Sequence, residues 1–206
     1  MLKYTDVYLE LLMDKDMLYM IMDGIRGGLS LIMKRYAVAN NKYMNEFNHN
    51  EKTSYLVPVD ANNLYGDAMS FKLPQKGFAW CTAEEIKELE ERISDKPDDS
   101  DIGYIIKIKS LEYPKELHGS HNDYPFFPIH KNIKHKDLSP YQKKLRSNTK
   151  SRKFVTSLEN KGLVCDYRTL KQAIQHGFKL KGIHCAIKFE QKAWLEPYID
   201  KNTKLR

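Results

Sequence analysis

The sequence predicts an α+β fold, an antiparallel sheet with helices packed on one side, carrying a loop-rich basic insertion. Short strand-like apolar runs and amphipathic helical stretches follow one another in mixed order, without regular βαβ alternation. Residues 117–151 have little periodicity and are rich in His, Pro, Asn and Lys, which reads as a surface excursion. With 206 residues, 41% of them hydrophobic and 30% charged, the chain suits one ordinary domain or a piece of a larger protein, and it is not a disordered one. The mean hydropathy of −0.62 and the lack of a long apolar run exclude a transmembrane helix. The amino terminus has acids inside its apolar stretch and no small-residue cleavage site, so it is not a secretory signal. Cys81, Cys165 and Cys185 are widely spaced, with no CxxC pair, and are expected to be buried small hydrophobes. A soluble, intracellular protein with no membrane partner is expected.

From the amino terminus, residues 6–22 place Val7, Leu9, Leu11, Leu12, Met17, Leu18 and Met20 to Met22 at helical spacing, predicting two short helices hinged at 14–16 and closed by Gly24. Gly27 and Gly28 then break the chain, 29–37 reads as a strand, and 40–53 as a polar hairpin or loop. Residues 55–59 are a strand-like run ending at Asp60, with Pro58 marking an edge position or a bulge. One helical turn is expected over 64–69 and a strand over 78–80. Thr82 is the N-cap of a helix over 83–93, with Glu85 at the capping-box position. An acidic loop (95–100) and a strand (104–108) precede the excursion. Beyond it come a strand at 163–165, a helix at 167–175 closed by His176 and Gly177, a long strand at 178–189 and a helix at 193–199.

Charge is segregated. Between 131 and 153 stand nine basic residues (Lys131, Lys134, Lys136, Lys143, Lys144, Arg146, Lys150, Arg152 and Lys153) against the single acid Asp137. Between 84 and 101 nine acids face three bases. The basic run is either a surface for a polyanion or a solvated loop beside a compensating acidic helix. Asp60, at the end of an apolar run and before a turn, is either a ligand for a hard cation such as Mg²⁺ or the cap of the helical turn after it. Tyr65 correspondingly sits beside that cation's cargo or belongs to the core. His118, His121, His130 and His135 lack the tight spacing of a zinc site and read as surface or phosphate-adjacent residues. Trp194 and Tyr198, and the run Tyr124-Pro125-Phe126-Phe127-Pro128, serve either packing or base stacking.

The string Asp60-Ala61-Asn62-Asn63-Leu64-Tyr65-Gly66 closely resembles motif A of family-B DNA polymerases, especially the protein-primed branch of phages, viruses, linear plasmids and self-synthesising transposons. That motif reads Asp-x-x-Ser/Asn-Leu-Tyr followed by Pro or Gly. Upstream, Ile25-Arg26-Gly27-Gly28-Leu29-Ser30 resembles the family's Tyr-x-Gly-Gly element, with Ile25 in place of the tyrosine. Asp166-Tyr167-Arg168-Thr169-Leu170, Gly177-Phe178-Lys179-Leu180 and Trp194-Leu195-Glu196-Pro197-Tyr198 resemble the region before motif B. Asn63 stands where many members carry serine, and Gly66 where many carry proline.

The resemblance implies DNA-directed DNA polymerisation with two Mg²⁺ ions, on template-primer DNA and deoxynucleoside triphosphates, with a terminal priming protein as a further partner. Asp60 is the implied metal carboxylate. Ala61, Asn62, Asn63 and Leu64 line the implied nucleotide pocket, and Tyr65 excludes a 2′-hydroxyl. Arg26, Gly27 and Gly28 pass the template strand. It implies a linker between exonuclease and polymerase domains over 1–28, the first palm strands with motif A over 29–82, an inserted basic subdomain over 83–162 that meets the priming protein and duplex DNA, and a palm return over 163–206. The family's motif B is expected beyond residue 206, and no Asp-Thr-Asp triplet of motif C occurs. The expectation is therefore a partial palm that is inactive alone. The alternatives are a non-catalytic nucleic-acid-binding remnant of a mobile-element polymerase and an unrelated metal nuclease.

Overall fold

The run Ile183–Lys192, with apolar residues for both faces, forms the longest of the described strands, on which the rest of the sheet is assembled. The structure, a computed structural model, describes residues 1–29, 36–121, 126–145, 151–156 and 160–205. The expected strand at 29–37 lies mostly outside them. The helices are α1 (Leu2–Thr5), α2 (Lys15–Gly24), α3 (Leu64–Ser70), α4 (Ala83–Arg92), α5 (Pro140–Leu145), α6 (Tyr167–Gln175) and α7 (Glu196–Leu205). The strands are β1 (Leu73–Trp80), β2 (Ile102–Ile108), β3 (Ser110–Glu112), β4 (Pro128–Ile133), β5 (Ser151–Thr156), β6 (Asn160–Lys161), β7 (Val164–Asp166), β8 (Lys179–Leu180) and β9 (Ile183–Lys192).

The fold is α+β. Its main sheet is antiparallel in the order β1-β9-β2-β7, beside a small sheet β6-β3-β8 and the hairpin β4-β5. Strand alternation sends Ile106, Ile108, Cys165 and Ala186 to one face, where they meet Leu89 and Ile93 at α4 and Leu170 and Ala173 of α6. Val164, Ile187 and Phe189 point to the other face and pack on Met17 and Met20 of α2. Helices therefore cover both faces, a correction to the one-sided packing expected. The apolar stripe of α2 needs a sheet face of its own, and both faces of β7 and β9 carry apolar residues. A register shift between Lys107 and Ile108 sets Cys185 and Ile183 opposite consecutive residues of β2, and this bulge returns Ile183 to the α4–α6 face.

Only the second of the two helices expected over 6–22 forms. Asp14 adopts an extended conformation (φ −76°, ψ 118°), and its Oδ1 accepts from the amides of Asp16 at 2.8 Å and Met17 at 3.1 Å, so it caps α2 and stops any helix before it. The preceding stretch runs along the outer edge of β1, with the amide of Glu10 donating to the carbonyl of Gln75 at 3.0 Å and that of Gly77 to Glu10 Oε2 at 2.6 Å. At α4 both capping-box bonds are made: Thr82 Oγ1 accepts from the Glu85 amide at 3.3 Å and Glu85 Oε2 from the Thr82 amide at 2.9 Å. The strand expected over 178–189 is split. Gly182 turns the chain at φ 130°, so β8 joins β3 in the small sheet while β9 joins the main one.

The surface excursion is more ordered than its composition suggests. Strands β4 and β5 pair from Pro128 opposite Thr156 to Ile133 opposite Ser151. Its base is held by rings: Tyr113 stacks on Phe178 at 4.2 Å between centroids, His118 meets Tyr113 edge-on at 4.6 Å, and His121 stacks on Phe178 at 6.1 Å. Phe127 is buried and Phe126 packs against Phe178 and His176, so this part of the aromatic run is an anchor; Tyr124 and Pro125 lie outside the described residues.

Candidate nucleotide and metal site

Residues 55–59 form no strand, contrary to expectation. They pair with no strand among the described residues and expose Tyr55, Leu56, Val57 and Val59 by more than half. β-branched content favours a pleated surface, but a strand exists only where a neighbour accepts its ladder, and Pro58 lacks the amide proton for one of those bonds. Asp60 closes this segment and is exposed; no described residue forms an ion pair or hydrogen bond with it. Nor does it cap the next helix. The residue at that boundary is Asn63, in the left-handed region at φ 56° and ψ 38°. Of the two readings of Asp60, the capping one is thus not realised.

Ala61, Asn62 and Asn63 are exposed, and helix α3 opens with Leu64 and Tyr65. Tyr65 is 86% exposed, so it is not a core residue. Below it Gly66 is buried. The far end of α3 is tied to the sheet through Arg168, whose Nη2 donates to the Lys72 carbonyl at 2.8 Å and to Gln191 Oε1 at 2.7 Å. Gln191 is itself buried and donates from Nε2 to the Ser100 carbonyl at 2.6 Å and to Tyr167 Oη at 3.1 Å. Tyr167 Oη in turn donates to the Asp98 carbonyl at 2.8 Å. This buried polar network joins α6, β9 and the acidic loop to the segment carrying Asp60 and Tyr65. Sequence reasoning missed it, because a glutamine in a strand reads as solvent-facing.

Beside the glycine pair, Arg26 reaches the edge strand β7: its Nη2 donates to the Val164 carbonyl, its Nη1 is buried without a hydrogen-bond partner among the described residues, and burial pushes the guanidinium pKa down. Gly27 and Gly28 are exposed, and a Cβ on either would meet no described residue within 4 Å. Nothing inside the described protein requires glycine there.

In the excursion Lys131, Lys134, Lys136, Lys143 and Lys144 are all exposed. Lys131 stands directly opposite Lys153 in the β4–β5 register, and Asn132 opposite Arg152. Arg146 and Lys150, and the side chains of Arg152 and Lys153, lie outside the described residues.

No group of three His, Cys, Asp or Glu side chains is placed to hold a metal ion among the described residues. His118 and His121 serve ring packing instead. Trp194 donates to the Pro74 carbonyl at 3.4 Å and Tyr198 meets Tyr4 edge-on at 6.1 Å, so both pack. Burial holds the Cys165 thiol up at about 12 and the Cys81 thiol at about 11, which leaves both protonated and inert at neutral pH. Among the described residues no helix is long and apolar enough to cross a membrane.

A family model for organellar and viral type B DNA polymerases matches residues 10–206, nearly the whole chain. The chain belongs to that family. No curated protein and no solved structure matches it. For a type B polymerase chain, DNA and nucleotides are the natural substrates, and the segment from Asp60 to Tyr65 lies within the matched region.

Proposed function

We propose that this chain is the part of a DNA-directed DNA polymerase that carries one metal carboxylate and the residue that senses the incoming sugar. The observation that carries this reading is that Asp60 and Tyr65, five positions apart in the matched segment, are both exposed and do no folding work among the described residues. The donor chemistry suits Mg²⁺, which takes oxygen ligands and is commonly held by one or two carboxylates together with substrate phosphates and water. Asp60 supplies one such carboxylate. Bound there, the ion lowers the pKa of the primer 3′-hydroxyl and neutralises triphosphate charge.

The chain's own residues do the rest. The main chain from Ala61 to Leu64, with the side chain of Asn62, lines the triphosphate. The ring of Tyr65 lies under the sugar, so that a 2′-hydroxyl collides with it and ribonucleotides are rejected by a clash. Arg26 ties the chain to the edge strand β7, and Gly27 and Gly28, where a Cβ would meet no described residue, let the template backbone approach closely. The four-stranded sheet with α2, α4 and α6 forms part of the palm, and the basic excursion with the β4–β5 hairpin is an inserted subdomain that meets duplex DNA and a priming protein. The 206 residues hold Asp60 without an Asp-Thr-Asp triplet to supply a second metal carboxylate, so the isolated chain is expected not to polymerise.

Two experiments test this. In the polymerase, Tyr65→Val raises ribonucleotide incorporation relative to deoxynucleotide by about 10- to 100-fold, the range over which pocket shape discriminates; an unaltered kcat/KM ratio removes Tyr65 from the role. In DNA-binding titrations, changing Lys131, Lys136, Lys143 and Lys144 together to glutamine lowers the slope of log K against log salt by about one unit for each phosphate no longer neutralised. An unchanged slope reassigns the hairpin to a solvated surface.

A further inference from the structure

The small sheet β6-β3-β8 gathers lysines that the sequence keeps apart. Its register sets Ser110 opposite Lys161, Leu111 opposite both Asn160 and Leu180, and Glu112 opposite Lys179. The Lys181 amide donates to the Ser110 carbonyl at 3.0 Å, which carries the β3–β8 pairing one residue further. Residues directly opposite on antiparallel strands share a face. Leu111 and Asn160 are buried and Leu180 packs on the core, so their face points inward. The outer face therefore carries Lys161, Ser110 and Lys181 in one row across the three strands, with Glu112 and Lys179 in the next. At about 4.8 Å between strands and about 3.4 Å per residue, the backbones at Lys161 and Lys181 stand about 10 Å apart, and those at Lys179 and Lys181 about 7 Å apart.

The charge on this face is one-sided. Lys161, Lys179 and Lys181 are exposed, as is Lys109 at the junction of β2 and β3. Glu112 is the one carboxylate of the face among the described residues, and both its oxygens are taken, Oε2 by Lys181 at 2.8 Å and Oε1 by Lys179 at 3.8 Å. Glu90 reaches the turn at Gly182, but it accepts from the Ile183 amide. Lys109 and Lys161 form no ion pair with a described residue. The half-buried Ser110 places a hydroxyl between the two strands that carry Lys161 and Lys181.

We propose that this outer face is a second contact for the phosphate backbone of DNA, separate from the basic excursion, in which Lys109 and Lys161 neutralise phosphates and the Ser110 hydroxyl donates to one. The choice of DNA as the polyanion rests on the polymerase reading given above. Such contacts hold a strand in register without reading its sequence. Lysines on β6 and β8, the outer strands of this sheet, would equally guard it against pairing with another chain, and the two roles have different consequences when the charges are removed.

The test is duplex-DNA binding by this chain as a function of salt. Lys109→Gln with Lys161→Gln is expected to lower the slope of log K against log salt by about two units, about 0.9 for each phosphate no longer neutralised. Lys52→Gln with Lys87→Gln removes the same net charge from exposed positions elsewhere and is expected to leave the slope within about 0.3 units. Combined with the four substitutions in the excursion, the loss at Lys109 and Lys161 adds to theirs, because separate contacts act independently. A slope unaltered by Lys109→Gln with Lys161→Gln overturns the proposal, and so does an equal fall in the control pair, which marks an effect of net charge alone. Self-association of the double variant in sedimentation at an unaltered slope assigns the lysines to guarding the sheet edges and overturns it too. The polymerase reading is judged apart from this one: a fall in slope stands whatever Asp60→Ala does to primer extension. A parent chain that binds no DNA overturns this contact and that of the excursion together, and leaves the role of Asp60 to primer extension.

Discussion

Primer extension by the polymerase is expected to fall about a thousandfold or more on Asp60→Ala, since a metal-ligating carboxylate contributes several kcal/mol to transition-state charge stabilisation and each 1.4 kcal/mol is a factor of ten. The same substitution should leave folding alone. Asp60 is exposed and engages no described residue, and surface changes of that kind stay within about 0.5 kcal/mol. The experiment therefore pairs single-turnover nucleotide incorporation with chemical denaturation of the same proteins. Lost incorporation at unchanged stability is the signature of a ligand. Incorporation that survives Asp60→Ala removes the carboxylate from the chemistry, and a parallel loss of stability shows that it holds the fold. The isolated 206-residue chain is expected to show no extension at all. Extension by this chain that disappears on Asp60→Ala would mean that a second carboxylate within it completes the site.

The elements legible in the sequence are those whose instructions are local. Helix α4 begins at Thr82 because the cap and its reciprocal Glu85 lie three residues apart, and both bonds are made. Helix α6 is framed by Asp166, whose side chain accepts from the Arg168 amide, and ends before Gly177 at φ 92°. Elements that depend on a distant partner were not legible. The run 55–59 has the composition of a strand and no neighbour to pair with among the described residues. The run 178–189 has strand character throughout, yet Gly182 divides it between two sheets. At the candidate site, Asp60 and Tyr65 are singled out by the string they belong to, because the order of residue types in it is distinctive. The helical turn expected over 64–69 forms as α3, starting at Leu64 directly after the left-handed Asn63. The polar network around Gln191 depends on a distant partner and was missed. What makes a glutamine buriable is the absence of a side chain on the strand beside it, at Gly103.

That dependence yields the second large effect. Gly103 pairs directly with Phe189 in the β2–β9 register, and a Cβ on it would lie 2.4 Å from Phe189 Cε2 and 2.5 Å from Gln191 Oε1. Neither neighbour has room to yield. Phe189 is 1% exposed, with Phe78 at 5.8 Å between ring centroids and α2 packed against it. Gln191 is 4% exposed and engaged through both ends of its amide, with Arg168, Ser100 and Tyr167. Moving the ring opens a void under α2; moving the amide leaves buried polar groups without partners. Gly103→Ala is accordingly expected to destabilise the chain by about 3 kcal/mol, at the upper end of what overpacking usually costs, despite the gain alanine brings by restricting the unfolded chain. Gly27→Ala, where no described residue lies within 4 Å, is the matched control and should stay within about 0.5 kcal/mol. The measurement is the urea midpoint of each variant at constant m-value, which keeps a change in stability distinct from a change in the unfolded state. Equal midpoints for the two variants would mean that β2 and β9 slide apart freely at this pair. The network would then be a passive filling and no tie between the sheet and the segment bearing Asp60. A large loss at Gly103 together with an intact Gly27 variant separates a glycine that the fold requires from one that it does not.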